Sequence, residues 1–312
     1  MKLTVAIPSY RRPEDLRRAL NALLVQKRPV DEVVVVARKD DTGTHLVAGE
    51  FASSLPIVLQ QVEKPGVVEA YNRAMDQATG DILSFIDDDA APHSDWAGRI
   101  VQTFEEDPDL AGLGGKDRVF GDGRWLEGEE PVVGIVKWHG RTIGNNHLGV
   151  GPRRDVDTLK GVNMSFRMKS LGKQRMDKRL RGTGAQWHCE LKLCLDLRAQ
   201  GKRLAYDPAV VVDHIVGVRH DDDQRTVFNA QAYENQIYNL TLALLEYLRP
   251  AGRIVLLINA TAVGIGSGYC GLLKCLLSWP KLGNTAWRKF AASTRGVCGA
   301  WESWRADRNV HA

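Results

Sequence analysis

The stretch that decides the fold is Ile82-Leu83-Ser84-Phe85-Ile86-Asp87-Asp88-Asp89. Five residues with the pattern of a buried strand run directly into three consecutive carboxylates. In an open parallel sheet, ligands bind at the carboxyl ends of the strands, which is where this acidic run is delivered. Three adjacent like charges repel one another, and a divalent cation is the usual way to hold them together. Mg²⁺ or Mn²⁺ accepts carboxylate oxygens and keeps positions open for phosphates. Alternate residues of an extended chain face the same way, so Asp87 and Asp89 can converge on one site while Asp88 points elsewhere. A solvated acidic turn is the plain alternative.

Working outward, strand and helix signals alternate through the first 115 residues, the pattern of a mainly parallel sheet with crossover helices. Leu3 to Pro8 is a short apolar run, and Val33 to Val36 is four valines in a row, as expected for a strand covered on both faces. Leu16, Ala19, Leu20, Leu23 and Leu24 recur at helical spacing between them, with Pro13 in a first turn that tolerates it. Ile57 to Val62 reads as a third strand. Val67, Ala70, Tyr71, Ala74, Met75 and Ala78 mark a helix stopped by Thr79-Gly80. Ser94 is the expected N-cap of a helix carrying Trp96, Ile100 and Phe104. From Phe120 to Pro152 periodicity gives way to Gly, Trp, His and Asn, and Trp138, His139, Arg141, Asn145, Asn146 and His147 suit sugar hydroxyls. Thr158 to Arg167, a helix from Cys189 to Gln200, and extended chain from Arg203 to His214 complete this region. Arg225 to Leu248 reads as a long helix ended by Arg249-Pro250.

Four segments in this order resemble glycosyltransferase family 2, of the GT-A fold. They are Val5-Ala6-Ile7-Pro8-Ser9-Tyr10-Arg11-Arg12, the run Asp31 to Val36, Ala78-Thr79-Gly80-Asp81, and Ile82 to Asp89. The resemblance covers about residues 2 to 215. It implies a nucleotide-diphospho-sugar donor, a Mn²⁺ or Mg²⁺ ion and, usually, inversion at the anomeric carbon. It also implies a catalytic domain over 1–220, with a nucleotide-sugar half at 1–115 and an acceptor half at 116–220, followed by a helical region at 221–312. By the same resemblance Pro8 and Tyr10 border the nucleobase pocket, Asp88 lies near the donor ribose or sugar, and Asp89 coordinates the metal with Asp87. The family's acidic residue after the second strand maps onto Asp40 or Asp41, although Ala37-Arg38-Lys39-Asp40-Asp41-Thr42-Gly43 is shifted and more basic than the family pattern. Lys160 to Arg167 resembles the segment under the donor sugar, which brings in Gly161 and Asn163, with Gly161 allowing close backbone approach.

Sugar transfer with inversion needs a carboxylate to take the acceptor hydroxyl's proton while the diphosphate leaves. The family supplies it from a Glu-Asp pair before a helix-ending glycine. Here Gly182 to Leu191 holds that place, with Glu190 where the Asp would be and Cys189 replacing the first Glu. A carboxylate favouring a helix N-terminus is the competing explanation. Trp187 and His188 are candidates for acceptor contact. Ala205 to His214 resembles the strand whose closing His approaches the metal in some members, and neutral imidazole is a fair Mn²⁺ ligand. Asp221-Asp222-Asp223 reads instead as N-terminal charge before a helix.

The chain has 312 residues, a formal net charge of +4 and no basic stripe interleaved with aromatics, so a nucleic-acid partner is not expected. Five cysteines without zinc spacing fit a reducing compartment. The start runs straight into a strand with no apolar signal core, which places the catalytic part in the cytosol. Ile254 to Leu273 is twenty residues without a charge, but Asn259, Thr261, Ser267 and four glycines dilute it. From Lys274 to Arg308 seven Lys/Arg stand against Glu302 and Asp307. A single crossing would put that basic stretch outside, so contact of 250–280 with the cytoplasmic face as a hairpin or amphipathic helix is expected. The acceptor is then a saccharide or lipid-linked sugar, in surface polysaccharide or glycoconjugate synthesis. A sugar-phosphate nucleotidyltransferase or a Rossmann dehydrogenase would need a Gly-rich turn after the first strand, and Pro8 to Pro13 has no glycine. A non-catalytic saccharide-binding protein is the remaining alternative.

Overall fold

The structure is a computed structural model and describes residues 1–218, 220–221, 228–264 and 268–310. Two compact units divide the chain: the first takes 1–135, 143–176 and 197–218, and the second 136–142, 177–196 and 219–312. The second unit thus draws two segments out of the region expected to form one catalytic domain.

In the first unit the elements run β1 (Leu3–Ser9), α1 (Pro13–Leu24), β2 (Glu32–Arg38), α2 (Thr42–Phe51), β3 (Ile57–Val62), α3 (Val67–Gln77), β4 (Ile82–Ile86), β5 (Ala90–Pro92), α4 (Trp96–Glu106) and β6 (Leu110–Gly121). Short strands β7 (Arg124–Trp125), β8 (Ile135–Val136), β9 (Thr142–Ile143) and β10 (Arg154–Val156) cross the aperiodic excursion, before β11 (Asn163–Arg167), α5 (Met168–Leu171), α6 (Cys189–Ala199) and β12 (Arg203–Ile215). The first eight residues of α6 belong to the second unit.

The main sheet has the order β10-β12-β6-β11-β4-β1-β2-β3. β1, β2, β3 and β4 are parallel, as are β6 and β12, while β11 runs antiparallel between β4 and β6. From β1 the chain steps outward to β2 and β3, then returns to the other side of β1 as β4. That reversal makes a crevice at the carboxyl ends of β1 and β4, the position where open α/β sheets bind ligands. Val33 to Val36 are essentially inaccessible, and a valine fully buried contributes about 2 kcal/mol, which fixes β2 as a central strand. The core beneath is built from Leu3, Val5 and Ile7, Leu16 and Leu20, and Trp96, Ile100 and Phe104.

Three local details differ from expectation. The N-cap of α4 is Asp95 rather than Ser94, and its carboxylate accepts from Arg99 Nε at 2.6 Å. In α3 Val68, not Val67, turns inward. The segment after β2 is not a loop but α2, capped by Asp41, whose carboxylate accepts from Thr44 N at 3.2 Å.

The second unit is helical: α7 (Ala230–Tyr247), α8 (Pro250–Ile258), α9 (Leu272–Leu282) and α10 (Asn284–Val310). α7 starts at Ala230, capped by Asn229, which accepts from Gln231 N and Ala232 N. Asp222 and Asp223 of the second acidic triplet, and 225–227 of the expected helix, lie outside the described residues. Ala292, Gly296 and Ala300 form a small-residue stripe on α10; a side chain at Gly296 would meet Glu234 O and Ile237 of α7, so α10 packs against α7 at close range. The apolar stretch from Ile254 is broken: α8 passes into a π-turn over Asn259–Val263 and ends at Gly264 with φ +78°. Among the described residues no helix is long and apolar enough to cross a membrane.

Candidate active site

The first unit's acidic cluster is assembled by strand register. After Asp89 the chain forms β5, which pairs antiparallel with β12 so that Ala90 stands opposite His214. Ile215 N donates to Asp89 O at 3.0 Å, closing that junction. β12 also runs parallel to β6, with Val212 opposite Asp117 and His214 opposite Val119, so the two-residue period sets Asp117 and His214 on one face. Between Asp207 and Val211 the register shifts, with three residues of β12 left unmatched. Gly115 accommodates that bulge: a Cβ there would lie 2.0 Å from Val210 O.

The result is a group of ligand-type atoms from Asp87, Asp89 and His214 within 4.8 Å of one another. His214 Nε2 is 3.4 Å from Asp89 Oδ1, and its Nδ1 is 3.6 Å from Asp117 Oδ2. Asp117 is fully buried and pairs with the Lys160 ammonium. Arg12, from the turn after β1, donates through Nε to Asp88 Oδ2 at 3.1 Å and through Nη1 to Asp89 Oδ2 at 3.0 Å. Gly217 N also donates to Asp89 Oδ2, at 2.9 Å, and a Cβ on Gly217 would collide with Asp15 and Arg12. The two oxygens of Asp89 are therefore unlike. Oδ2 is held by the protein's own donors, whereas buried Oδ1 receives no hydrogen bond in good geometry and faces the cluster.

Charge in this dry setting follows from the neighbours. Burial would raise the Asp89 carboxyl, but His214, Arg12 and the Gly217 N–H hold it well below the usual carboxylate range. Burial would lower His214, yet Asp117 and Asp89 outweigh it and push the imidazole up to about 9. Burial pushes the Asp88 carboxyl up to about 8, against the pull of Arg12 and with repulsion from Asp89. Two carboxylates and one imidazole fit a hard or borderline divalent cation, which would displace the proton that His214 holds between Asp89 and Asp117, and an imidazole nitrogen suits Mn²⁺ better than Mg²⁺.

The remaining candidates fall in several places. Tyr10 lies under the Arg38 guanidinium, 3.7 Å from the ring centroid, with Arg11 at 4.9 Å, and Pro8 precedes it on β1. Asp40 is exposed and 3.6 Å from Arg11. Asp41 is buried as the cap of α2 and also accepts from Arg11 N at 2.6 Å and Thr44 Oγ1 at 2.6 Å, so it organises the loop beside β1. Gly161 packs against the Tyr71 hydroxyl, which would lie 2.9 Å from a Cβ there. Asn163 lies at the start of β11. Its side chain is buried, accepts from Trp96 Nε1 at 2.9 Å and donates to Val210 O and Lys116 O, so it ties α4 to β12 and β6.

Glu190, Trp187 and His188 belong to the second unit. Glu190 sits in the first turn of α6, where the helix N-terminus favours a carboxylate, and Cys189 Sγ approaches its Oε2 at 3.4 Å. Gln186 and His188 both have positive φ, +40° and +73°, a costly backbone for residues other than glycine and a mark of functional loops. Burial pushes the His188 imidazole down to about 4, so it is neutral, and its Nε2 is buried without a hydrogen-bond partner. Trp187 is exposed. Of the excursion residues, Trp138, His139 and Arg141 belong to the second unit and Asn145, Asn146 and His147 to the first; they do not form one cluster within either unit. Arg12, Asp117 and Lys160 were given no role from sequence. Arg12 alone had a signal: it follows β1, next to β4 in the sheet.

Comparison with known proteins agrees with this architecture. The family described as Glycosyl transferase family 2 matches residues 4–170. A glucosyl-dolichyl phosphate glucuronosyltransferase of Haloferax volcanii is 25% identical over 251 residues, 77% of this chain and 78% of that protein. Glycosyltransferase AglE of the same organism is 35% identical over 106 residues, 32% of this chain, and the match spans only about a third (34%) of AglE. Among solved structures, Staphylococcus aureus TarS 1-349 in complex with UDP-GlcNAc superposes with TM-score 0.59 at 17% identity, over 82% of this chain and 70% of that one. The mannosyltransferase PcManGT from Pyrobaculum calidifontis, in complex with GDP-Man and Mn²⁺, gives 0.55 at 17% identity, over 96% and 75%. With a sheet reversing at β1, an acidic cluster at that reversal and a family match over more than half its length, the chain belongs to glycosyltransferase family 2 and has the GT-A fold.

Proposed function

We propose that this enzyme moves a sugar from a nucleoside diphosphate to a saccharide or lipid-linked acceptor, with inversion, in surface polysaccharide or glycoconjugate synthesis at the cytoplasmic face of a membrane. The observation that carries the reading is the convergence of Asp87, Asp89 and His214 at the sheet's switch point. A Mn²⁺ or Mg²⁺ ion held there would offset the charge developing on a departing diphosphate. Relatives support the donor class, since TarS is complexed with UDP-GlcNAc and PcManGT with GDP-Man and Mn²⁺. Tyr10 offers a ring face and Pro8 an edge to the nucleobase, with Asp40 near its rim. Asp88, fixed by Arg12, stands beside the sugar or ribose, and the tight backbone at Gly161 lets the donor approach.

Glu190 is assigned the proton abstraction from the acceptor hydroxyl, and Trp187 with neutral His188 the acceptor's positioning. The strained 186–188 backbone and the N-terminal helix position of Glu190 support this. The test is Glu190→Gln with the candidate nucleotide sugars in Mn²⁺. Donor affinity should hold while turnover falls by about 10²- to 10⁴-fold, since an amide cannot accept the proton. Near-normal turnover removes Glu190 as the base. Retained anomeric configuration in the product, read by NMR, removes inversion. Mn²⁺-dependent donor binding without turnover in the unaltered chain would identify a binding protein.

A further inference from the structure

α9 reverses the usual arrangement of a surface helix. At 100° per residue, Leu272, Leu273, Leu276, Leu277 and Trp279 fall within one arc of about 160°, and every one of them is exposed, Leu277 by 72% and Trp279 by 54%. The inward residue is Cys275, fully buried in a small apolar cluster with Cys270 and Ala286, and beside it Ser278 is half-buried, so the large apolar side chains of α9 point outward. Single exposed leucines are ordinary on a protein surface, but a contiguous apolar face is a contact surface. Lys274 and Lys281, seven residues apart, flank the arc at its Leu277 edge; one donor of Lys274 reaches Tyr269 O at 3.1 Å.

The sequence around this face is basic. From Tyr247 to Trp301 the chain has Arg249, Arg253, Lys274, Lys281, Arg288, Lys289 and Arg295 and no aspartate or glutamate, and of these Arg295 is paired with Glu234 of α7. α9 has eleven residues, about 16 Å of helix, which cannot cross a hydrocarbon core of about 30 Å but can lie in its surface. Within the expected contact region 250–280, which includes most of α9, the uncharged stretch Ile254 to Leu273 contributes less. It is broken by the π-turn, and α8 presents only Ile254 and Ile258, one helical turn apart, as large exposed apolar groups.

We propose that α9 docks this protein onto an anionic lipid surface, lying in the interfacial plane with its leucines and Trp279 in the acyl boundary and its lysines at the phosphates. This sharpens the membrane contact proposed above and stands or falls separately from sugar transfer. An anionic leaflet answers both properties of the face, its apolar side chains and the lysines along its edge. A second copy of the chain would answer only the first: a two-fold contact through α9 sets the lysines of both copies around one interface with no carboxylate from 247–301 to oppose them.

The test is sedimentation of the full chain with phosphatidylcholine vesicles, with and without 30% phosphatidylglycerol, in 0.1 M and 0.5 M NaCl. The unaltered chain should partition into the anionic vesicles at least tenfold better than into neutral ones, and less at high salt. The variant Leu276→Ser/Leu277→Ser/Trp279→Ser should lose at least tenfold of that partitioning. Lys274→Gln/Lys281→Gln should lose only the preference for anionic vesicles. Both should keep the melting temperature and the Mn²⁺-dependent donor binding of the unaltered chain in solution. Failure of the unaltered chain to partition overturns the proposal, as does equal partitioning by the triple variant. So would a dimer in solution that the triple variant makes monomeric while vesicles bind neither.

Discussion

Two charged clusters, one in each unit, use nearly the same parts to different ends. In the first unit Asp87, Asp88, Asp89 and Asp117 surround Arg12, Lys160 and His214. In the second, Asp177, Asp196, Glu246 and Asp307 surround Arg179 and Lys192, joining α6, α7 and α10. The second set keeps its carboxylates partly in water, between 12% and 45% exposed. It buries only Lys192, whose ammonium meets Asp196 at 2.6 Å and Glu246 at 2.8 Å. The first set buries Asp88, Asp89 and Asp117 almost completely and leaves oxygens of Asp89 and Asp117 without hydrogen-bond donors. Ion pairs that can be closed with the chain's own donors are structural; those left open where the sheet reverses are available to a ligand.

This contrast can be broken from either side. The largest effect should come from Asp89→Ala, which removes both the buried oxygen and the anchor of Arg12. Turnover should drop by on the order of 10³-fold, and the Mn²⁺-dependent rise in melting temperature with donor should vanish; an unchanged Mn²⁺ response would return the cluster to a structural role. In the second unit, Lys192→Met should leave donor binding intact and cost about 3 kcal/mol of stability, because its carboxylate partners lose their cation. Urea unfolding measures this, and a loss under 1 kcal/mol would show that water already compensates those carboxylates. Asp117→Asn should weaken Mn²⁺ binding by about 10- to 100-fold by loosening the group that orients His214, with little change in melting temperature without metal. The smallest effect is pH-dependent. Burial would raise Asp177, but Arg179 and Lys192 hold it below its ordinary value of 3.8. Its contribution is thus present above about pH 4 and is lost as pH falls below that. Asp177→Asn should melt below the unaltered chain at pH 6, with the gap narrowing as pH falls below about 4.

Much of the fold was legible because its signals are local. Val33 to Val36 fill a central strand, Ile82 to Ile86 lead into the acids, and the spacing of Leu16, Ala19, Leu20 and Leu23 matches the buried face of α1. α2 was hidden by Thr42, Gly43, Thr44 and Gly49, poor helix formers whose helix depends on the Asp41 cap and on tertiary burial of Val47 and Phe51. The role of Asn163 was invisible for another reason: its partners Trp96, Lys116 and Val210 come from three distant parts of the chain. Asp117 likewise meets His214 only through a strand pairing interrupted by a bulge, which no periodicity announces.

That bulge also sets a dial on the chemistry. Residues 208–210 carry no partner on β6, so chain length there is free to drift without unzipping either flank. Deleting one of them while a three-residue bulge is kept would advance the downstream strand by a single position and set the next residue along, Ile215, where His214 now stands. Adding one would set Asp213 there instead, replacing nitrogen with oxygen opposite Asp89 and tilting the ion preference from manganese towards magnesium. In this fold the group that faces Asp89 would be set by insertions or deletions more than a hundred residues away in sequence, without touching a single aspartate of the acidic run.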